Sequence, residues 1–296
     1  MSAPSVLIAG CGDIGSRLAS QLMPDDWTVY GLRRSVEKLP NGVLGVSGDL
    51  FDPRIPAHWP EGRLDYLVYC ATPTDRDEAG YRAAYVEGLR HVLGWSERSG
   101  QRPKRIFFVS SSSVYGQQHG EWVDETSPVD ATGYSGQVMR EAEQVALNSG
   151  VPATIVRLTG IYGPGRSDLM NRVRQGYSVA IDPPLYGNRI HADDAAGLLA
   201  FLLRTAADEV VLEDCYIGVD DAPAPLAEVV DWMRPMNTTC AAPAASAAAM
   251  PAPRRWAGRR VMRPIKKGMR RCWEISRTSS LWRRLVGPAL AGKASG

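Results

Sequence analysis

The stretch "VLIAGCGDIGSRLASQL", beginning at Val6, constrains the fold more than any other part of the sequence. A short apolar run leads into Gly10, Gly12 and Gly15, spaced GxGxxG, and an amphipathic helical pattern follows at once. That order predicts a strand, a tight turn and a helix. Gly10 permits the turn, Gly12 lets the backbone approach a bound anion, and Gly15 lets the helix pack closely on the strand. The helix N-terminus offers free amide donors and a favourable dipole, so the expected guest is a dinucleotide pyrophosphate held at Gly10, Gly12, Asp13, Ile14 and Gly15. The alternative is a glycine-rich turn with no ligand, and the position of the loop between strand and helix argues against it.

The next strand discriminates between dinucleotides. An NAD site usually places an acid about 20 residues on to accept the ribose hydroxyls. The run "VYGLRRS" instead offers Arg33 and Arg34. Guanidinium groups bind a 2′-phosphate bidentately and stack on adenine, so NADP is the expected cofactor, with NAD possible. The competing reading is a solvated, charged strand end.

Further along, apolar runs alternate with helical ones: "WTVYGL", "LDYLVYCA", "DEAGYRAAYVEGLRHVLGWSERSG", "RIFFVSS", "REAEQVALNSG" and "ATIVRL". The strand-like runs are continuously apolar, as in a parallel sheet covered on both faces. The fold class is therefore α/β, a doubly wound parallel Rossmann sheet over residues 1–165. A small C-terminal substrate lobe is expected over 166–236, intertwined with the sheet domain and built from "DDAAGLLAFLLRTA", "DCYIGV" and "PLAEVVDWMR". Residues 237–296 carry 13 Lys and Arg against the single acid Glu274, and their Ala, Pro and Arg text lacks an apolar period. That composition fits disorder or an out-of-frame reading. A nucleic-acid arm is the rival reading of so basic a tail, and the lack of regularly interleaved aromatics argues against it.

With 44% apolar and 22% charged residues the chain is of ordinary globular composition, and no run of about 18 apolar residues offers a membrane span. Cys11, Cys70, Cys215, Cys240 and Cys272 form no CxxC pair and lie at no metal-ligand spacing to histidine. They are expected to be reduced thiols in a cytoplasmic protein, with no metal site.

Several further motifs fall in one order: "GDL" with Asp49 and Leu50, "CATP" with Ala71 and Thr72, "FVSSSSVYG", "DETSP", "VRLTGIYGPG" and "NRIHADDAAG". Together with the glycine loop they resemble the extended short-chain dehydrogenase/reductase family, of the NAD-dependent epimerase/dehydratase type, and more closely its atypical members. The resemblance covers about residues 4–234. It implies that Asp49 contacts adenine and that the loop at Ala71 and Thr72 covers the cofactor. It implies that Ser111 hydrogen-bonds a substrate oxygen, that Ser113 assists the chemistry, and that Tyr134 is the acid/base. His191 would order its loop, and Arg157 and Arg189 could hold an anionic substrate such as a nucleotide diphosphate.

Two positions depart from the family pattern. The lysine four residues after the tyrosine is replaced by Val138, and Tyr85 stands where many relatives have an asparagine. A phenol titrates near ~10 in water, and a neighbouring ammonium favours the phenolate; a valine supplies no such field. Two functions therefore stay open: an oxidoreductase or epimerase/dehydratase acting on a hydroxyl- or carbonyl-bearing small molecule, and a non-catalytic NAD(P)-binding sensor or interaction protein.

The resemblance also implies a homodimer formed by two long helices from each subunit. Tyr81, Tyr85, Leu89, Val92 and Trp95 supply a candidate apolar stripe for it.

Overall fold

The computed structural model describes residues 3–221 and 223–238. The expectation for the basic tail therefore lies almost wholly outside the described residues. A compact unit spans Met1–Met233.

The chain opens with β1 (Ser5–Ala9), α1 (Asp13–Leu22), β2 (Thr28–Arg33), β3 (Leu44–Ser47) and β4 (Tyr66–Tyr69). A long helical segment follows as α2 (Glu78–Tyr81), a π-helical stretch (Arg82–Glu87) and α3 (Gly88–Arg98). Next come β5 (Arg105–Ser111), a 3₁₀ turn (Ser112–Val114), α4 (Tyr134–Leu147) and β6 (Ala153–Leu158). The remainder is β7 (Gly160–Tyr162), α5 (Asp168–Arg174), β8 (Tyr186–Gly187), β9 (Arg189–His191), α6 (Ala192–Ala207), β10 (Cys215–Gly218), β11 (Ala224–Pro225) and α7 (Leu226–Thr238).

Seven strands form one sheet in the order β10-β6-β5-β4-β1-β2-β3, all pairs parallel. The chain order reverses between β1 and β4, so a crevice opens beyond the carboxyl ends of those strands, where doubly wound sheets hold their ligands. The apolar runs that lacked alternation are the strands buried on both faces: every residue of β1, β4 and β6 is buried. The expected doubly wound α/β fold is the observed one.

The stretch expected as a lobe is interwoven with the main sheet. The run "DCYIGV" supplies β10, which pairs with β6 in the main sheet, and α6 packs on α1 in the layer on the other face. What remains over the strand ends is the stretch from the Gly163 loop through α5, with the small ladders β7–β9 and β8–β11.

The stripe assigned to a dimer interface faces inward. Tyr85, Leu89, Val92 and Trp95 all belong to the core cluster against the sheet. The outer faces of this segment and of α4 are instead charged, with Arg82 bonded to Glu141 at 2.7 Å and Arg90 to Glu87 at 2.8 Å. A single helical stripe cannot serve both core and partner, and the core takes it.

The departure at Tyr85 falls within the π-helical stretch. Widening the helix there frees the Ala84 carbonyl, which accepts a hydrogen bond from the buried Tyr69 hydroxyl. Gly88 makes room for that phenol, since a Cβ there would come within 2.5 Å of the Tyr69 oxygen. Among the described residues, no helix is long and apolar enough to cross a membrane.

Candidate functional site

The phosphate loop is built as its glycines require. Gly10 has φ +80°, and a Cβ on it would lie 2.5 Å from the Ala71 Cα, so the loop after β1 and the loop after β4 touch across this residue. Gly10 and Cys11 donate their amides to the Leu32 carbonyl, at 3.1 and 2.9 Å, which fixes the loop to the end of β2. Gly15 presses α1 onto β1, with Ile8 Cγ2 2.9 Å from where its Cβ would be.

The ladder of α1 begins at the bond from Ser16 N–H to Gly12 C=O, of 2.9 Å. The amides of Asp13, Ile14 and Gly15 therefore precede the first intrahelical bond and point out of the N-terminus. A Cβ on Gly12 would meet nothing closer than the Gly10 carbonyl oxygen at 3.8 Å, so open space faces those donors. Free amides, helix dipole and an open glycine face together fit a dinucleotide pyrophosphate.

Arg33, half-buried, ends β2 beside Cys11, and Arg34 next to it is exposed. The Arg33 guanidinium makes one long bond, 3.4 Å, to the Lys38 carbonyl. Asp49 lies beyond β3 and uses one carboxylate oxygen to accept from Phe51 N–H at 3.1 Å. The Leu50 carbonyl faces the His91 ring at 2.7 Å, so this residue contributes by fixing the loop. Ala71 is buried against Gly10, and Thr72 is exposed at the crevice. Burial pushes the Cys11 thiol up to about 11 and the Cys70 thiol higher still, which makes both inert packing groups. Among the described residues, no cluster of His, Cys, Asp or Glu could hold a metal ion.

The four serines have separate surroundings. Ser110 is buried and donates to Glu143 at 2.6 Å. Ser111 Oγ accepts from the Ser113 amide at 3.1 Å, capping the 3₁₀ turn and leaving its own proton free. Ser113 is exposed. Tyr134 opens α4, is 40% exposed, and donates its hydroxyl to the Arg76 carbonyl at 2.6 Å. No hydrogen bond joins Tyr134 to Ser111 or Ser113.

Residues 6–218 match the NAD-dependent epimerase/dehydratase family. The chain belongs to this family. A solved structure from Methylobacillus flagellatus, described as an NAD-dependent epimerase/dehydratase, is 34% identical with a TM-score of 0.65, covering 84% of this chain and 86% of that one. Protein YeeZ of Escherichia coli K12 is 29% identical over 206 residues, 67% of this chain and 73% of its own. The UDP-glucose 4-epimerase of Thermotoga maritima, solved with UDP-glucose, is 18% identical with a TM-score of 0.61, covering 81% of this chain and 84% of that one.

Val138, four residues after Tyr134, is 2% exposed and sits in the hydrophobic cluster beneath α4. Between Tyr134 and Val138, Gly136 has a structural requirement of its own. A Cβ there would overlap the Ser113 carbonyl oxygen, so α4 begins in direct contact with the serine turn. Gly136→Ala should therefore cost about 1–3 kcal/mol as an overpacked contact that displaces this turn. Thermal unfolding checks it, and an unchanged melting temperature would show that the contact relaxes freely.

Arg157 does not face a substrate. It is 7% exposed and bidentate to Glu143, at 2.9 and 2.8 Å, and its third nitrogen donates to the Tyr115 hydroxyl at 2.9 Å. Tyr115 donates its own hydroxyl to the Asp124 carbonyl at 2.9 Å, which orders the loop after the serines. The sequence did carry the signal for this pair: an acid on the apolar face of one helix and an arginine inside the apolar run "ATIVRL" each need an opposite charge. Arg189 is part-buried, and its guanidinium lies on the Gly187 carbonyl at 3.3 Å. His191 accepts from Asp193 N–H at 3.2 Å, capping α6, and packs edge-on against Tyr162.

Proposed function

We propose that this chain is an NADP-preferring oxidoreductase of the epimerase/dehydratase type, acting on a hydroxyl- or carbonyl-bearing small molecule such as a nucleotide sugar. One observation carries the reading: unpartnered amides at the α1 N-terminus face the open side of Gly12, with Arg33 and Arg34 at the end of the next strand. The UDP-glucose found with the Thermotoga maritima relative supports the substrate class.

The bound dinucleotide would supply a hydride donor or acceptor. Ser111, whose hydroxyl proton is uncommitted, would orient the substrate oxygen. Tyr134 would exchange its proton with that oxygen after releasing the Arg76 carbonyl. Without a lysine beside it, this exchange lacks the field that favours the phenolate.

The expected result of fluorescence titration is tighter binding of NADPH than of NADH. Losing charge-assisted bonds to a 2′-phosphate costs about tenfold or more. The double change Arg33→Asp with Arg34→Ala should invert the preference. Equal affinities in the native protein, unmoved by the substitutions, would refute the assignment.

A second reading is favoured by the burial of Val138 and the engagement of the Tyr134 hydroxyl: a non-catalytic NADP-binding sensor or interaction protein. NADPH oxidation across nucleotide sugars, keto sugars and small aldehydes separates the two, since the enzyme loses turnover in Tyr134→Phe and the sensor has none to lose. A homodimer remains our proposal, now through the charged outer faces of α3 and α4. The scattered, odd set of cysteines supports a cytoplasmic location.

A further inference from the structure

The loop that follows β7, Gly163 to Asp168, is tied at two points to the dinucleotide half of the molecule. Arg166 bonds both Nε and Nη2 to one oxygen of the Asp13 carboxylate, at 3.0 and 2.9 Å. Two residues on, Asp168 accepts from Arg76 at 3.0 Å, on the loop after β4. The loop thus bridges from the phosphate loop to the other wall of the crevice. Gly163 and Gly165 both have positive φ, 133° and 84°, which gives the strap backbone freedom that other residues lack.

Asp13 is the first residue of α1, and its amide is one of the three that point at the pyrophosphate position. Its carboxylate would then stand beside an arriving dianion, an arrangement that repels unless a cation intervenes. Two cations are present. Arg17, one turn along the same helix, holds the other Asp13 oxygen at 2.7 Å and also pairs with Asp193 and the Pro164 carbonyl. Arg17 is therefore committed, and it would keep Asp13 paired if Arg166 left. Arg166 has no other side-chain partner, is partly exposed, and rides on the glycine-bounded strap.

Resting on the cofactor reading above, we propose that Arg166 is a pyrophosphate ligand parked on the Asp13 carboxylate, and that dinucleotide binding transfers its guanidinium from Asp13 to the phosphate oxygens. The planar fork suits two phosphate oxygens as well as it suits a carboxylate. The exchange places the strap over the pyrophosphate and adds a charge-assisted contact from outside the phosphate loop.

The test is titration of purified full-length protein with NADPH and with adenosine 2′-monophosphate, which lacks the pyrophosphate, for three proteins: unmodified, Arg166→Ala and Asp13→Asn. Arg166→Ala should weaken NADPH by about tenfold to a hundredfold, the loss expected for hydrogen bonds to a charged group, and leave adenosine 2′-monophosphate unchanged. Asp13→Asn should tighten NADPH, because it removes the repelling charge and frees Arg166. If the ion pair only anchors the loop, both substitutions break the same contact and both weaken binding; that result overturns the proposal. Equal weakening of both ligands by Arg166→Ala also overturns it. Native binding with Arg166→Ala unaffected removes the transfer alone, whereas no binding of NADPH or NADH by the native protein removes the cofactor reading with it. Arg166→Gln, which keeps the side chain as far as Cδ without the guanidinium, repeats the test should the alanine variant melt early.

Discussion

Replacing Glu143 with alanine should lower folding stability by about 3–5 kcal/mol, because it leaves a buried guanidinium without its counter-charge. Glu143 is 2% exposed, and its two oxygens take both Arg157 bonds and the Ser110 hydroxyl. Burial opposes the Arg157 charge, yet the hydrogen bonds it donates to Glu143 and the carboxylate's charge more than offset it and hold the group firmly protonated. Against a total stability of about 5–15 kcal/mol, the loss is a large fraction. Urea unfolding gives the number. The double change Glu143→Leu with Arg157→Met should recover most of it, since a packed apolar pair of similar volume often equals a buried ion pair. A single-mutant loss below about 1 kcal/mol would mean that water or a rearranged Tyr115 solvates the arginine, and the account of a closed network would fall.

This network shows where reading the sequence stops. The glycine loop, the succession of strands and helices and the positions of the serines follow from local pattern, because each element is fixed by residues within a turn or a strand of one another. Arg157 reads from the sequence as a candidate ligand for an anionic substrate; the charges of this pair are visible there, but its partner lies 14 residues away on another element, and only the packing of α4 against β5 and β6 brings them together. The pairing of Arg166 with Asp13, 153 residues apart, had no local signal at all. The apolar stripe ending at Trp95 shows the converse failure. Period alone says that a helix has a buried face, and cannot say whether a sheet or a second subunit covers it. Here β4 and β5 cover it, with Tyr69 entering the helix at the π-helical widening.

Val138, at the position where the resemblance implies a lysine, gives the second large effect. Val138→Lys should destabilise the protein by about 4 kcal/mol at neutral pH instead of restoring a catalytic ammonium. Tyr134 and Val138 are one turn apart, but the sheet covers only the second. The phenol stands at the exposed end of α4 with its hydroxyl donating to the Arg76 carbonyl, whereas the valine is enclosed by the core. An ammonium confined there loses its hydration. A pKa depressed by about three units, well within the range for buried lysines, corresponds to about 4 kcal/mol. The sign of the pH dependence follows. The unfolded lysine titrates near ~10.4 and the folded one near ~7, so between these values the unfolded chain binds more protons and stability rises with pH. The penalty should be full below about pH 7 and fade as pH approaches ~10. Denaturation of Val138→Lys and the native protein at pH 6 and pH 9 measures it. A lysine that instead reached the crevice would remain charged at both pH values and leave the stability difference flat. In that case the ammonium would also favour the Tyr134 phenolate and move any turnover to lower pH. A flat difference, with turnover so shifted, would return Tyr134 and its fourth neighbour to the roles that the family pattern implies.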